Sequence, residues 1–320
     1  MKLNTLVRVV NELIAKRQPV LITTHEAPDG DCIGSALALA LALRQKGLKV
    51  SVVNKDPVPE TLTFLAGSQE VLLPASLSTE FEVAIIVDCT DLGRLGFELP
   101  QGETQLINID HHVSNTSFGT YNYVNPKASA TGEIIYNLLK EIDVEIGPDI
   151  ATALYTSLVT DSGSFQYENT SPETLRIAAE LLENGAETNI IRQYLWENKP
   201  LPAIKALQAA LNSLTTAADG KLAWVALDMK SIAAIGASNE HLEGLVNYPR
   251  SIAGVEVGMF FKEVEPQKIK VSLRSKQYVD VNALAQKFDG GGHRRAAGCT
   301  IYAPLEQAVN TMVMAVQEML

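Results

Sequence analysis

Three apolar runs, each delivering ionisable residues at its end, constrain the fold more than any other feature of this chain. They are "PVLITTHEAPDGD" (Pro19 to Asp31), "EVAIIVD" (Glu82 to Asp88) and "TQLINID" (Thr104 to Asp110). Each run is too short for a helix and is apolar at successive positions, the mark of a parallel strand buried on both faces. Between and after them lie stretches of helical period. "NTLVRVVNELIAKR" sets Leu6, Val10, Leu13 and Ile14 on one face, and the Ala/Leu segment from Gly34 to Lys46 has Ser35 as a cap and Gly47 as a stop. "KVSVVN" reads as a further strand. "TGEIIYNLLKEI", "PDIATALYTSLV" and "SPETLRIAAELLENG" read as helices, the last opening at a capping Ser171 and closing at Gly185. The expected architecture is α/β: an N-terminal parallel sheet with helices on both faces.

A chain of 320 residues is too long for one comfortable core, so two domains are expected. The small, polar "LNSLTTAADGK" (Leu211 to Lys221) precedes renewed strands at "LAWVALD", "VEVGMFF" and "KIKVSL". The expected division is a first domain over 1–190, a helical linker over 191–215 and a smaller α/β domain over 216–320. The second domain should have fewer strands, antiparallel or mixed, and end in a helix from about Leu305 to Leu320.

The net charge of −11 argues against a broad basic face for long nucleic acid, though a short anionic substrate needs only a local positive cluster. No segment approaches the roughly 20 apolar residues of a membrane span, and the first thirty residues lack the signature of a secretory leader. A cytoplasmic location and no membrane partner are expected. Cys32, Cys89 and Cys299 lie far apart without a CxxC spacing, so neither a disulfide framework nor a thiolate zinc site is suggested.

Four of the five histidines fall in three short clusters: His25-x-x-x-Asp29-x-Asp31, Asp110-His111-His112, and Gly290-Gly291-Gly292-His293-Arg294-Arg295. Each also has an ordinary reading. Asp29 and Asp31 are turn formers beside Pro28 and Gly30, Asp88 is a helix cap, and the glycine run is a flexible hairpin. The carboxyl ends of parallel strands, however, all reach one sheet edge, where such folds bind ligands. Asp31, Asp88 and His111 would meet there, with Asp161 of "VTDSGSF" as a fourth group following a helix. Carboxylates with imidazoles and without thiolates suit a pair of divalent ions, Mn²⁺ first, with Mg²⁺ or Co²⁺ as substitutes. Two ions about 3.5–4 Å apart need one carboxylate to bridge them. Asp29 and Asp31, two apart in an extended loop, would serve different ions.

The motifs "HEAPDGDCIGS", "IIVDCTD", "NIDHH", "VTDSGSF" and "GGGHRRAAG", in this order, resemble the DHH phosphoesterases over essentially the whole chain. The resemblance implies that His25, Asp29 and Asp88 hold one metal and that Asp31, Asp88, His111 and Asp161 hold the other, with Asp88 bridging. It makes Asp110 a group that orients the histidines, turns His112 toward the scissile phosphate, and leaves Glu26 without a role. Asp88, Asp110 and His112 are thus the expected catalytic groups. The three glycines would let backbone N–H groups approach a phosphate, with His293, Arg294, Arg295 and Arg274 of "SLRSK" adding positive charge. Phe165, Tyr167 and Tyr248 are candidates for stacking on a base.

Length and domain order resemble the nanoRNase/pAp phosphatase branch. That branch implies short single-stranded RNA or DNA oligonucleotides and pAp as substrates, no binding of long duplexes, and dimers as the usual assembly. A sibling reading is a stand-alone phosphodiesterase for cyclic di-AMP or pApA. A manganese pyrophosphatase fits less well, since "SLRSKQ" departs from that branch's Ser-Arg-Lys-Lys-Gln signature. A non-catalytic nucleotide-binding module would be marked by lost ligands, and the six positions are all present. Closure of the two domains over substrate about the linker near Leu201 to Ala218 is a further expectation.

Overall fold

The computed structural model describes residues 1–77, 81–99 and 104–320. It divides into two compact units, Met1–Asn198 and Lys199–Leu320, and the break falls within the segment expected as a linker.

In the first unit the chain runs α1 (Leu3–Lys16), β1 (Val20–Thr23), α2 (Gly30–Gln45), β2 (Val50–Val53), β3 (Val83–Val87), β4 (Gln105–Asp110), β5 (Tyr121–Val124), α3 (Thr131–Glu141), α4 (Pro148–Asp161), α5 (Pro172–Glu183) and α6 (Thr188–Arg192). The sheet order is β2-β1-β3-β4-β5 with every pairing parallel, so β1, β3 and β4, the three runs singled out above, lie side by side at its centre. Successive residues of these strands feed different cores. Val20, Ile22, Val83, Ile85, Val87, Ile107 and Ile109 pack with residues of α1 to α5. On the opposite face Leu21, Ala84 and Ile86 pack instead with Phe81, Leu95, Phe97, Leu99 and Leu106. Among the described residues a 3-10 turn, Leu92–Leu95, and its flanking loops therefore stand where a second helical layer was expected. The reason is local: Pro57, Pro59, Pro74 and Gly67 favour 3-10 turns in the described part of the β2–β3 connection, and Gly93 and Gly96 do the same around Leu92–Leu95.

The second unit begins with α7 (Leu201–Asn212) and continues β6 (Thr215–Ala217), β7 (Leu222–Leu227), α8 (Met229–Ile235), α9 (Asn247–Ser251), β8 (Val257–Glu265), β9 (Lys268–Ser275), α10 (Val281–Gln286), β10 (Gly291–His293), β11 (Ala296–Tyr302) and α11 (Leu305–Gln317). Its six strands, in the order β10-β11-β9-β8-β7-β6, are mixed: β7 and β8 are parallel and the other neighbours antiparallel. Among the described residues, six strands against five reverses the expectation of fewer, because β6 and β10 are three-residue strands without a hydrophobic period. One face, with Met259, Phe261, Val271 and Leu273, buries against α10 and α11; Val225, Leu227 and Phe260 on the other meet α7 and the segment Leu242–Val246.

Candidate metal centre

The loop after β1 is shorter than its sequence suggests. Helix α2 opens at Gly30, four residues before the expected start, and Asp29 instead of Ser35 caps it, accepting the N–H groups of Asp31 at 3.1 Å and Cys32 at 3.0 Å. Asp31 therefore lies in the first turn of a helix and not in an extended loop, where the helix dipole favours its charge. Ser35 sits a turn further on, and its hydroxyl donates to Asp31 Oδ1 at 3.0 Å. Ser157 on α4 donates to the same oxygen at 2.5 Å, and the N–H of Thr131 reaches Oδ2 at 2.8 Å. These contacts depend on a close approach of α2 and α4: a Cβ on Gly34 would stand 2.5 Å from the Ala153 carbonyl oxygen, and one on Gly30 would stand 2.4 Å from Thr160.

Asp88 follows β3 with φ of 55°, a left-handed conformation costing a residue with a side chain roughly 1–2 kcal/mol. Its fully buried carboxylate is divided between neighbours. Oδ2 is 3.6 Å from His25 Nε2, while Oδ1 is 3.6 Å from His111 Nε2 and accepts the Thr131 hydroxyl at 2.9 Å. His25 Nε2 also faces Asp29 at 3.9 Å, and His111 Nε2 faces Asp31 at 3.7 Å and Asp161 at 3.5 Å. Asp161 is the last residue of α4, which runs two residues past the Val159 end expected from the sequence, so Asp161 lies on the helix and not after it.

The other nitrogen of each imidazole is committed to backbone. His25 Nδ1 lies 2.7 Å from the Glu26 carbonyl and His111 Nδ1 lies 3.2 Å from that of Ala128, which leaves Nε2 of both directed at the carboxylates. Asp110 is fully buried at the end of β4. Its Oδ1 accepts the His111 N–H at 2.8 Å and meets His112 Nδ1 at 2.7 Å, and its Oδ2 accepts Asn115 Nδ2 at 2.6 Å.

Two donor groups result: His25, Asp29, Cys32 and Asp88 in one, and Asp31, His111 and Asp161 in the other, each with ligand atoms within 4.8 Å of one another. A third grouping, Asp88 with His111 and His112, joins them through the Asp88 carboxylate. Separations of 3.5–3.9 Å are too long for hydrogen bonds and match what donors on one ion show, about 3–4 Å apart at bond lengths near 2.1 Å. Burial pushes the Cys32 thiol up to about 12 and its S–H donates to the Asp29 carbonyl, which leaves carboxylate oxygens and imidazole nitrogens as the donors, a set that fits hard or borderline divalent ions.

Electrostatics point the same way. Burial opposes charge on His25, but the neighbouring Asp88, Cys32 and Asp29 outweigh it and push its pKa up to about 12. Burial likewise opposes charge on His111, yet Asp31, Asp88 and Asp161 raise it to about 9. Asp88 resists its own burial through His25, His112 and His111 and is held well below the usual carboxylate range. Burial together with Asp88 raises Asp31, and burial, countered by His111 and reinforced by Asp88 and Asp29, lifts Asp161 to about 7. Asp88 thus leans on protonated histidines for the positive charge that a cation would supply, while Asp31 and Asp161, short of it, are held toward their protonated forms.

Thr131, Ser157 and Asn115 were not anticipated. Nothing in a sequence marks them, because Thr131 and Ser157 reach Asp31 across 100 and 126 residues. Cys32 had a signal, its place one residue after Asp31, but the absence of a CxxC pair masked it; its thiol accepts the Asp29 N–H at 3.2 Å.

The remaining candidates lie in the second unit. Residues Gly290 to Ala296 form a tight hairpin of β10 and β11, with Arg274 of β9 opposite Ala296. Gly292 has φ of 146°, and a Cβ on Gly290 would lie 2.3 Å from the Gly298 carbonyl oxygen, so the turn requires glycine at both places. Gly291, His293 and Arg294 are exposed. The Arg295 guanidinium is turned to the scaffold, donating to the Val279 carbonyl at 3.0 Å, and Arg274 Nη1 donates to the Leu273 carbonyl at 3.0 Å.

Residues 19–158 match the model of the DHH family N-terminal domain, and residues 222–320 match that of the DHHA1 domain. The chain is 33% identical over 313 residues to a protein of Thermus thermophilus named bifunctional oligoribonuclease and PAP phosphatase NrnA, covering 97% of this chain and 93% of that one. A protein of the same name from Bacillus subtilis is 28% identical, covering 89% and 90%. The crystal structure of an exopolyphosphatase-related protein from Bacteroides fragilis superposes with a TM-score of 0.92 at 27% identity, over 98% of this chain and 95% of that one. The chain belongs to the DHH family of phosphoesterases and carries its DHHA1 domain.

Proposed function

We propose that this protein is a two-metal phosphoesterase that shortens oligoribonucleotides of a few residues to mononucleotides and removes the 3′-phosphate of pAp. The observation that carries the reading is the division of the Asp88 carboxylate, one oxygen toward His25 and the other toward His111. His25, Asp29 and Asp88 are assigned to one ion and Asp31, Asp88, His111 and Asp161 to the other, with Mn²⁺ the expected metal. Bound there, the ions supply the Lewis acidity and the lowered water pKa that attack on phosphorus requires.

The chain's own residues provide the rest. The Glu26 and Ala128 carbonyls fix the ring orientation of the two ligating histidines. Asp110 holds Nδ1 of His112, so that Nε2 is the edge assigned to the scissile phosphate or its leaving oxygen. In the second unit, exposed Gly291, Gly292, His293 and Arg294, with Gly290 shaping the turn, form the assigned phosphate grip, alongside Arg274. Arg295 shifts in this scheme from a direct contact to a brace.

The names of the relatives support oligoribonuclease and pAp phosphatase activity. The net charge of −11 supports short single strands over long duplexes. No helix among the described residues is long and apolar enough to cross a membrane, in keeping with a cytoplasmic role. Homodimerisation, implied by the family, is read by light scattering. The deciding experiment is hydrolysis of pAp, pApA, a five-residue RNA, cyclic di-AMP and pyrophosphate with Mn²⁺. Turnover of pAp and the RNA is expected. Activity confined to cyclic di-AMP and pApA transfers the protein to the sibling branch, and activity on pyrophosphate alone overturns the reading.

A further inference from the structure

The second unit contains a buried carboxylate with a supporting role of its own. Glu256, just before β8, is 5% exposed. Its Oε1 accepts three consecutive backbone N–H groups, from Gln277 at 3.1 Å, Tyr278 at 2.8 Å and Val279 at 2.9 Å, and Oε2 accepts that of Gln277 at 3.0 Å. Its backbone is paired as well, the N–H to the Lys221 carbonyl at 2.7 Å and the carbonyl from the Lys276 N–H at 2.9 Å. A buried carboxylate is tolerated only where donors meet its charge, and a run of aligned amides does so.

The loop clamped in this way, 276–280, is the seat of the glycine hairpin. The Val279 carbonyl accepts both the Ser275 hydroxyl at 2.7 Å and the Arg295 guanidinium at 3.0 Å. At one end of the loop the Ser275 N–H donates to the Arg295 carbonyl at 3.1 Å, and at the other the Val281 N–H donates to the Arg294 carbonyl at 3.0 Å. Both arginine carbonyls and one guanidinium thus fasten the hairpin tip to the loop, and three amides fasten the loop to Glu256.

We propose that Glu256 is a positioning residue for substrate capture: by anchoring the 276–280 loop it holds the hairpin from Gly290 to Arg295 in the conformation that receives a substrate phosphate. This rests on the assignment of the hairpin to substrate made above. Gly290, Gly291 and Gly292 give that segment little stiffness of its own, so its order is imported from the loop beneath. The hydrogen bonds of Glu256 given above all lie within the second unit. Its removal lowers the fraction of hairpins ready to bind, which raises KM and leaves the chemical step intact.

Glu256→Gln keeps the size and removes the charge. With pAp and a five-residue RNA at saturating Mn²⁺, KM is expected to rise on the order of tenfold with kcat essentially unchanged, and hydrogen exchange across 290–296 to accelerate. Glu256→Asp should fall between the two. Ser275→Ala, which removes one strut and leaves the carboxylate, should shift KM the same way by less, and it carries the test if Glu256→Gln fails to fold. An unchanged KM, or a fall in kcat at constant KM, overturns the proposal. If the wild type hydrolyses neither substrate, the functional reading fails on its own; the exchange of 290–296 in Glu256→Gln still decides the positioning, and unchanged exchange overturns it.

Discussion

His112 Nδ1 lies 2.7 Å from Oδ1 of Asp110, a carboxylate with no exposed surface that also accepts the His111 N–H at 2.8 Å. One buried charge thus sets both the backbone of the Asp-His-His turn and the hand of the second imidazole. Asp110→Asn replaces a strong acceptor with an amide that can present its NH₂ to the ring, and activity is expected to fall about 10–100-fold with two ions still bound. Metal stoichiometry by calorimetry and kcat on pAp check it together. Wild-type turnover in that variant would contradict the orienting role.

Asp88 is the common member of the two donor groups, so its loss affects both. Asp88→Asn tolerates the left-handed backbone at φ of 55° and should fold. It should nonetheless lose turnover altogether, as should Asp88→Ala, and bind fewer than two Mn²⁺. Near-normal phosphatase activity in either purified variant at saturating Mn²⁺ would remove Asp88 from the mechanism.

Proton and metal compete for the same nitrogens. His25, at about 12, and His111, at about 9, carry protons in the metal-free chain at pH 7, and ligation through Nε2 must displace them. Both folded values lie above the unfolded 6.5, so their stabilisation is complete below that pH and is lost for His111 as pH climbs through about 9. Asp161, raised from 3.8 to about 7, acts in the same direction over a lower window. The metal-free protein should therefore lose stability between pH 6 and 9 while metal affinity grows. The rise in Tm on adding Mn²⁺ should be larger at pH 8.5 than at pH 6, with protons released on binding. A larger rise at the lower pH would contradict the ligand assignment.

Gly34 permits the approach of α2 to α4. Gly34→Val drives a side chain into the Ala153 carbonyl, 2.5 Å from where a Cβ would stand, and should cost about 1–3 kcal/mol in urea unfolding. It should also weaken metal binding, because Asp31 and Asp161 ride on those two helices. Metal affinity equal to wild type would separate the packing from the centre.

What the sequence revealed follows from the reach of its signals. The three central strands were legible because they are apolar on both faces, and the aspartates at their ends converge for the same topological reason. Strand β5 was not anticipated: its residues Tyr121 to Val124 are all half-buried and carry no apolar run. The start of α2 was misplaced because Ser35 is as good a cap on paper as Asp29, and only the folded backbone shows which accepts the amides. Thr131 and Ser157 answer to Asp31 through tertiary contacts that no spacing encodes. The hairpin arginines show the opposite limit: composition foresaw a positive cluster, but not that Arg295 would be directed to the Val279 carbonyl.

Helix α2 is buried along nearly its whole length, from Gly30 to Leu43 with Leu41 alone partly exposed. Its interior amides should be among the slowest of the first unit to exchange with solvent, and Asp31, buried in its first turn, shares that surrounding. Asp31 is thus carried by one of the most buried helices of the first unit, so the rate at which a metal ion exchanges there should follow ligand exchange and the proton on His111 more than local fraying of α2.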